Sequence, residues 1–166
     1  MYHAMFGQFR KQLQQMERWF DKLETFAGER SFSPDNLLAA RLAPDQLAFA
    51  RQVQIACDTA KLGASRLSGK PAPVHADEEK TLAELRARVQ SVGAYLESFS
   101  AADFAEASER TISQPRWEGK TMRGADYFLE HVVPNFFFHA GHVYALLRHN
   151  GVPLGKKDYL GPLSLR

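Results

Sequence analysis

The side chains best suited to chemistry lie close together near the C-terminal end of the sequence. His139 and His142 are three positions apart, and Asn135 lies one helical turn before His139. If this segment is a helix, these three side chains fall within about 60° of arc, together with several apolar residues. They should therefore face the protein interior. Burying such groups without partners costs about 1–3 kcal/mol each, so water, other side chains or a metal must satisfy them.

Two kinds of site fit this arrangement. His139 and His142 could converge on one divalent ion such as zinc, nickel or iron, with a third ligand from another helix. Gln52 and Gln54 are the candidates for that ligand, although an amide oxygen is a poor substitute for imidazole. Alternatively, these five residues line a polar pocket that binds a small molecule without a metal.

Other reactive groups have simpler interpretations. Cys57 lies on an apolar helix face, where a thiol is inert. His131 and His149 are expected to be half-exposed structural residues. Pro134 should kink or widen its helix, which either opens room beside Asn135 or only bends the helix around its phenylalanines. The acidic run at residues 77–79 is expected to be a solvated cap of the next helix.

Composition excludes several classes of protein. The 166 residues carry a net charge of only +2 and no long basic run, which argues against nucleic-acid binding. A single cysteine excludes an internal disulfide. No segment has the length and hydropathy of a membrane span, and no signal peptide is evident. We therefore expect one cytoplasmic domain over residues 1–166.

Hydrophobic periodicity predicts that this domain is an all-α four-helix bundle. The first helix should cover Tyr2–Ala27. The second should begin with Pro44 as its first residue and end near Ser68, before Gly69. A capping box at Thr81 and Glu84 should open the third, which continues to about Phe99. The fourth should cover 125–150.

Two segments lack helical periodicity. Residues 100–124 predict a small irregular or hairpin excursion, with candidate strands at 110–112 and at Arg116-Trp117. Trp117 is expected to pack over one end of the bundle. The tail at 152–166 should be extended or irregular.

The last helix resembles a known family. Its sequence Asn135-Phe-Phe-Phe-His139-Ala-Gly-His142, followed by Leu-Leu-Arg and Gly151, is similar to the H-x-x-x-H-x-G-Q pattern that ends DinB/YfiT-like proteins. Residues 51–58 and 151–161 look closer to an uncharacterised branch of that superfamily. The resemblance implies an up-down-down-up bundle with a long crossover, and frequently a homodimer.

The resemblance also implies a metal site of three histidines, of which this chain keeps one. His139 matches the second histidine of the H-x-x-x-H pair, whereas Asn135 stands at the first position. The position on the second helix falls on Gln54, or on Gln52 if the register shifts by two, and His142 stands where the family often has Gln. Some relatives are metal-dependent thiol S-transferases.

These observations lead to three expectations for function. The first is a small-molecule binding or interaction protein with a polar pocket and a degenerate metal site. The alternative is a metal-dependent enzyme, such as a thiol S-transferase, with a remodelled site. A third is a structural dimer joined through the polar stripe. Aromatic residues beyond the main apolar stripes also favour a homodimer, since one bundle should not bury them all: Trp19, Phe26, Phe137 and Tyr144.

Overall fold

A computed structural model describes residues 1–165 and shows four long helices in one bundle. Helix α1 covers Tyr2–Glu29, α2 covers Phe49–Ser68 and α3 covers Leu82–Glu97. Helix α4 runs over 124–149 in three continuous stretches: Gly124–Asp126, a π-helical Tyr127–Val132, and Val133–His149. The predicted all-α bundle is confirmed. Among the described residues, no helix is long and apolar enough to cross a membrane.

Short elements fill the connections. Short 3-10 helices lie at Pro34–Ala39, Ala101–Phe104 and Pro115–Trp117. Strands β1 (Thr111–Ser113) and β2 (Thr121–Arg123) form an antiparallel hairpin before α4, and a short helix α5 (Lys156–Leu160) lies in the tail.

The sequence signals at the helix ends have the expected physical roles. The backbone amide of Glu84 donates to Thr81 Oγ1 at 3.2 Å, and the backbone amide of Thr81 donates to the Glu84 carboxylate at 3.0 Å. This capping box satisfies amides that have no partner within α3. Gly69 ends α2 with φ +81°, a left-handed conformation that favours glycine.

The four helices surround a continuous aromatic and aliphatic core. α1 packs against α3 and α4, and α2 packs against the same two helices, so α1 and α2 face each other across the bundle diagonal. Phe9 of α1 stacks on Phe136 of α4, with ring centroids 4.0 Å apart. The close approach of α2 and α4 depends on small residues: a Cβ at Gly63 would lie 2.7 Å from a Val132 methyl group.

Two predicted boundaries are corrected. Helix α2 begins at Phe49 rather than Pro44, because Pro44 occupies the second position of a β-turn closed by the Gln46 amide and the Ala43 carbonyl. Proline is favoured both at the second position of a β-turn and at the first position of a helix. The second strand of the hairpin is Thr121–Arg123, while Arg116 and Trp117 lie in the 3-10 turn between the strands.

The C-terminal tail is more ordered than predicted. Its short helix packs on α1, where Trp19 Nε1 donates to the Asp158 carbonyl at 3.0 Å and the indole stacks on Tyr159. Trp19 is consequently fully buried within one chain. The prediction that one bundle cannot bury Trp19 is therefore wrong. The other three aromatic residues of that prediction, Phe26, Phe137 and Tyr144, are half-buried. Arg166 lies outside the described residues.

The predicted disturbance around Pro134 is a π-helical turn. Residues Tyr127–Val132 adopt the wider helix directly before the proline. Proline has no amide hydrogen, and its ring would clash with the carbonyl four residues earlier in an α-helix. A wider turn relieves that clash without breaking α4.

Candidate functional site: a polar cleft between α2 and α4

A cleft of about 230 Å³ lies between α2, α4 and the β1–β2 hairpin. Thr59 on α2 faces Asn135 on α4, and the Asn135 amide donates to the Thr59 hydroxyl at 2.6 Å. Ile55, Leu62 and the Tyr127 ring contribute apolar surface. The cleft therefore combines a polar floor with a small apolar wall. The remaining residues that line it are polar or charged: Arg51, Asp58, Arg66, Gln114, Arg116 and His131.

Arg66 and Tyr127 form one side of the cleft. Arg66 Nη1 donates to the Tyr127 hydroxyl at 2.9 Å, and the guanidinium carbon lies 5.9 Å from the ring centroid. Tyr127 is nearly fully buried and therefore fixed in position, and its ring and hydroxyl orient the Arg66 side chain.

The hairpin turn supplies a neighbouring part of the lining, since the His131 ring stacks on Tyr127 with centroids 5.4 Å apart. Arg116 Nη2 donates to His131 Nε2, so Nδ1 carries the proton of the neutral imidazole. Burial lowers the pKa of His131, and the positive charges of Arg116 and Arg66 lower it further. The expectation that Trp117 packs over the bundle agrees with its position against Tyr127 and His131.

Two hydrogen-bond donors at this cleft are buried and have no partner within residues 1–165. They are Nε2 of Gln114 and Nδ1 of His131. Gln114 is only 8% exposed. Buried donors normally have partners in folded proteins, and ordered water can supply them as well as a ligand.

The predicted site residues divide into separate groups. Asn135 lies in the cleft with Thr59. His139 forms a buried pair with Gln52, 2.6 Å from Nδ1 to Oε1. His142 is half-buried, and its Nδ1 donates to the Phe138 carbonyl of its own helix at 2.7 Å. The hydrogen bonds of these residues therefore do not join them into one cluster.

Gln54 belongs to a different network, centred on Arg88 of α3. Its amide donates to Glu79 at 2.8 Å and its carbonyl oxygen accepts from Arg51 at 2.9 Å. Arg88, whose side chain is 1% exposed, also binds Glu79, at 2.8 Å. The hydrogen-bond partner of His139 on α2 is consequently Gln52 and not Gln54.

The Arg88 network fastens the connection between α2 and α3. Arg88 reaches Asp58 at 2.6 Å and Asp77 at 2.6 Å, in addition to Glu79. Burial alone would raise the pKa of Glu79, but hydrogen bonds, the strongest from Arg88, hold it below its ordinary value. The expectation that residues 77–79 form only a solvated cap was wrong for Asp77 and Glu79. A signal was present in the sequence, because Arg88 lies beside the apolar seam of α3.

The possible metal ligands near His139 do not fit the three-histidine metal site that the resemblance implies. Asn135 already donates to Thr59, and Gln52 Oε1 is already hydrogen-bonded to His139. Among the described residues, no three His, Cys, Asp or Glu side chains are grouped to hold an ion. Two imidazoles alone are fewer than the three protein ligands of a catalytic zinc site.

Comparison with known proteins agrees with the fold. Residues 1–160 match the family described as Domain of unknown function (DUF1993). A crystal structure of a DinB family member protein from Shewanella denitrificans is similar, with a TM-score of 0.94 and 50% sequence identity. The similarity covers 99% of this chain and 97% of that chain. A search of curated proteins finds no significant match.

The fold is therefore that of a DinB-like four-helix bundle, in a branch of unknown function. Within that class, the chain belongs to the DUF1993 family.

Proposed function

We propose that this protein binds a small polar molecule in the cleft between α2 and α4. The observation that carries the proposal is the polar lining of one cleft, to which Gln114 and His131 belong; each of these two also has a buried donor without a partner within residues 1–165. An unsatisfied buried donor costs about 1–3 kcal/mol, and a ligand acceptor would recover part of that cost on binding.

A fragment screen by NMR tests the proposal. Fragments that enter the cleft should shift the side-chain amide signals of Gln114 and Asn135 together. Gln114→Leu should abolish this binding, because it removes one of the donors. Gln12→Leu is the matched control: Gln12 Nε2 is also buried without a partner, but Gln12 lies on α1 and does not line the cleft. Binding that survives Gln114→Leu unchanged, or a screen in which no fragment shifts these signals, would overturn the proposal.

The alternative of a metal-dependent enzyme, such as a thiol S-transferase, has weaker support. It would depend on His139 and His142, whose Nε2 atoms receive no hydrogen bond from residues 1–165. Of the candidate third ligands, Gln52 Oε1 already accepts from His139, and an amide oxygen is a poor substitute for an imidazole.

We also propose that two copies associate through an exposed apolar face of α4. Leu129 and Phe138 are 56% and 55% exposed, and Pro134 is exposed between them. Exposed apolar surface of this kind marks contact sites, and homodimers are frequent in the superfamily that the sequence resembles. Light scattering at tens of micromolar should give a dimer mass that Phe138→Glu reduces. Val74→Glu, at a residue that is 94% exposed elsewhere, should leave the dimer intact. A monomer of the unmodified protein would contradict this proposal.

A further inference from the structure

The charges around the cleft do not balance. Arg51 is paired with Asp77 at 2.5 Å, and Asp58 is paired with Lys61 at 2.9 Å and with Arg88. Arg66 and Arg116 have no carboxylate within 4.0 Å among residues 1–165; their recorded partners are the neutral groups of Tyr127 and His131. Two positive charges at the cleft are therefore uncompensated.

The unpartnered groups and the two uncompensated guanidinium groups are all donors. Gln114 Nε2 and the protonated Nδ1 of His131 can only donate, as can the guanidinium groups of Arg66 and Arg116. These donors come from the hairpin and from both helices and belong to residues that line one cleft, so a ligand rich in acceptor oxygens would suit them. An oxyanion satisfies the donors and the charge together.

The shape of the cleft limits the rest of the ligand. Its volume of about 230 Å³ is below the roughly 300–1,000 Å³ of pockets for drug-sized molecules. Ile55, Leu62 and the ring of Tyr127 provide an apolar surface beside the arginines. A small organic group attached to the anion would contact this surface.

From these observations, and resting on the proposed function, we infer that the ligand is a small phosphate monoester. Its dianion matches the two uncompensated arginines, and its three terminal oxygens can accept from Arg66, Arg116 and Gln114. A carboxylate or a sulfate monoester carries only one negative charge and would leave half of the positive charge unmatched.

Phenyl phosphate and phenyl sulfate are suitable probes, because they share a ring and a tetrahedral anion but differ in charge at pH 7.5. Calorimetry at low salt should show phenyl phosphate binding at least about tenfold more tightly. Inorganic phosphate should bind more weakly than phenyl phosphate, because it cannot contact the apolar wall. Bound phenyl phosphate should also raise the pKa of His131, which NMR can follow.

Two arginine variants and a control complete the experiment. Arg66→Gln and Arg116→Gln should each weaken phenyl phosphate binding by about tenfold, since each removes a charge-assisted hydrogen bond. Arg116 is exposed, so its variant keeps the test valid if Arg66→Gln folds poorly. Arg123→Gln makes the same charge change on β2, where Arg123 pairs with Glu109 outside the cleft, and should have no effect.

The outcomes separate this inference from the proposed function. Equal affinity for phenyl phosphate and phenyl sulfate, or for phenyl phosphate and inorganic phosphate, would overturn the phosphate monoester. If uncharged fragments or benzoate bind in a Gln114-dependent manner while phenyl phosphate does not, the inference fails and the proposed function stands. If phenyl phosphate binds equally well to the Arg66→Gln and Arg116→Gln proteins, its site is elsewhere and the inference fails.

Discussion

The Nδ1 atom of His139 lies 2.6 Å from Oε1 of Gln52, and the two side chains are 7% and 1% exposed. The Gln52 amide donates to the Leu47 carbonyl at 3.1 Å, which fixes its Oε1 toward the imidazole. This bond links α2 to α4 deep in the bundle. It also defines the protonation state, since Nδ1 must donate and Nε2 is left unprotonated.

A double-mutant cycle should show that His139 and Gln52 are coupled. His139→Leu or Gln52→Leu alone leaves one buried polar group unpaired and should lower the free energy of unfolding by about 1–3 kcal/mol. The double variant should be less destabilised than the sum of the single variants, because neither polar group remains. Urea unfolding provides the measurement. Strictly additive effects would show that the bond contributes nothing.

Stability should depend on the charge of His139. Burial, together with the nearby charges of His142 and Arg51, lowers its pKa to about 4 in the folded protein, compared with about 6.5 in the unfolded chain. The unfolded state then binds more protons between these values, so the contribution to stability is complete above about pH 6.5 and is lost as pH falls toward 4. Urea unfolding at several pH values should show this loss.

The control is the same measurement on His139→Leu. This variant retains all the carboxylates, which also titrate in acid, so the difference between the two proteins reports on His139 alone. The slope of stability against pH between 4 and 6.5 should be shallower in this variant. Identical slopes in the two proteins would contradict a lowered His139 pKa.

Arg88 should matter far more for stability than Arg86, although both form several ion pairs. Arg88→Met leaves Asp58, Asp77 and Glu79 without their shared partner and should cost about 3–5 kcal/mol. Arg86 pairs with Asp21 and Glu24 at the surface, so Arg86→Met should cost about 1 kcal/mol or less. Chemical denaturation of the two variants makes the comparison; similar losses would show that burial of the Arg88 network is unimportant.

Cys57 should not react in the folded protein. Burial raises the pKa of its thiol to about 12, and the side chain is fully buried, so almost no thiolate is available at pH 8. A colorimetric thiol reagent should modify it only as fast as the chain unfolds, and denaturant should accelerate the reaction greatly. Rapid modification without denaturant would contradict the buried position.

Protein purified without a metal-binding tag should contain well below one zinc, nickel or iron ion per chain, because two imidazoles make an incomplete catalytic site. Elemental analysis after incubation with excess metal and desalting gives the measurement. One tightly held ion per chain that is lost in His139→Ala would instead favour the metal-dependent enzyme.

The helices could be predicted from the sequence because each keeps one apolar stripe over several turns. The start of α2 could not, since Pro44 suits a turn as well as a helix start, and the helix begins only at the buried Phe49. Helix α5 was missed because its five residues are too few to show a period.

The candidate site was predicted only in part, because it depends on contacts between distant segments. The helical angles predict that Asn135 and His139 face the bundle interior, and both bond residues of α2. They could not show that Gln52 pairs with His139 while Gln54 turns to the Arg88 network, nor that the hairpin brings Gln114 and Arg116 to the cleft. Those contacts depend on the path of the hairpin, which carries no helical period.

The π-helical turn at Tyr127–Val132 has a consequence for comparing this chain with its relatives. A π-turn contains one more residue than an α-turn, so it is equivalent to a single-residue insertion. A relative whose last helix is α-helical throughout would need a one-residue gap at this place in an alignment. Positions after the turn, including Asn135 and His139, keep their correspondence, whereas Tyr127 and the residues before it are displaced by one. A cleft residue such as Tyr127 should be matched to its counterpart only after that gap has been placed.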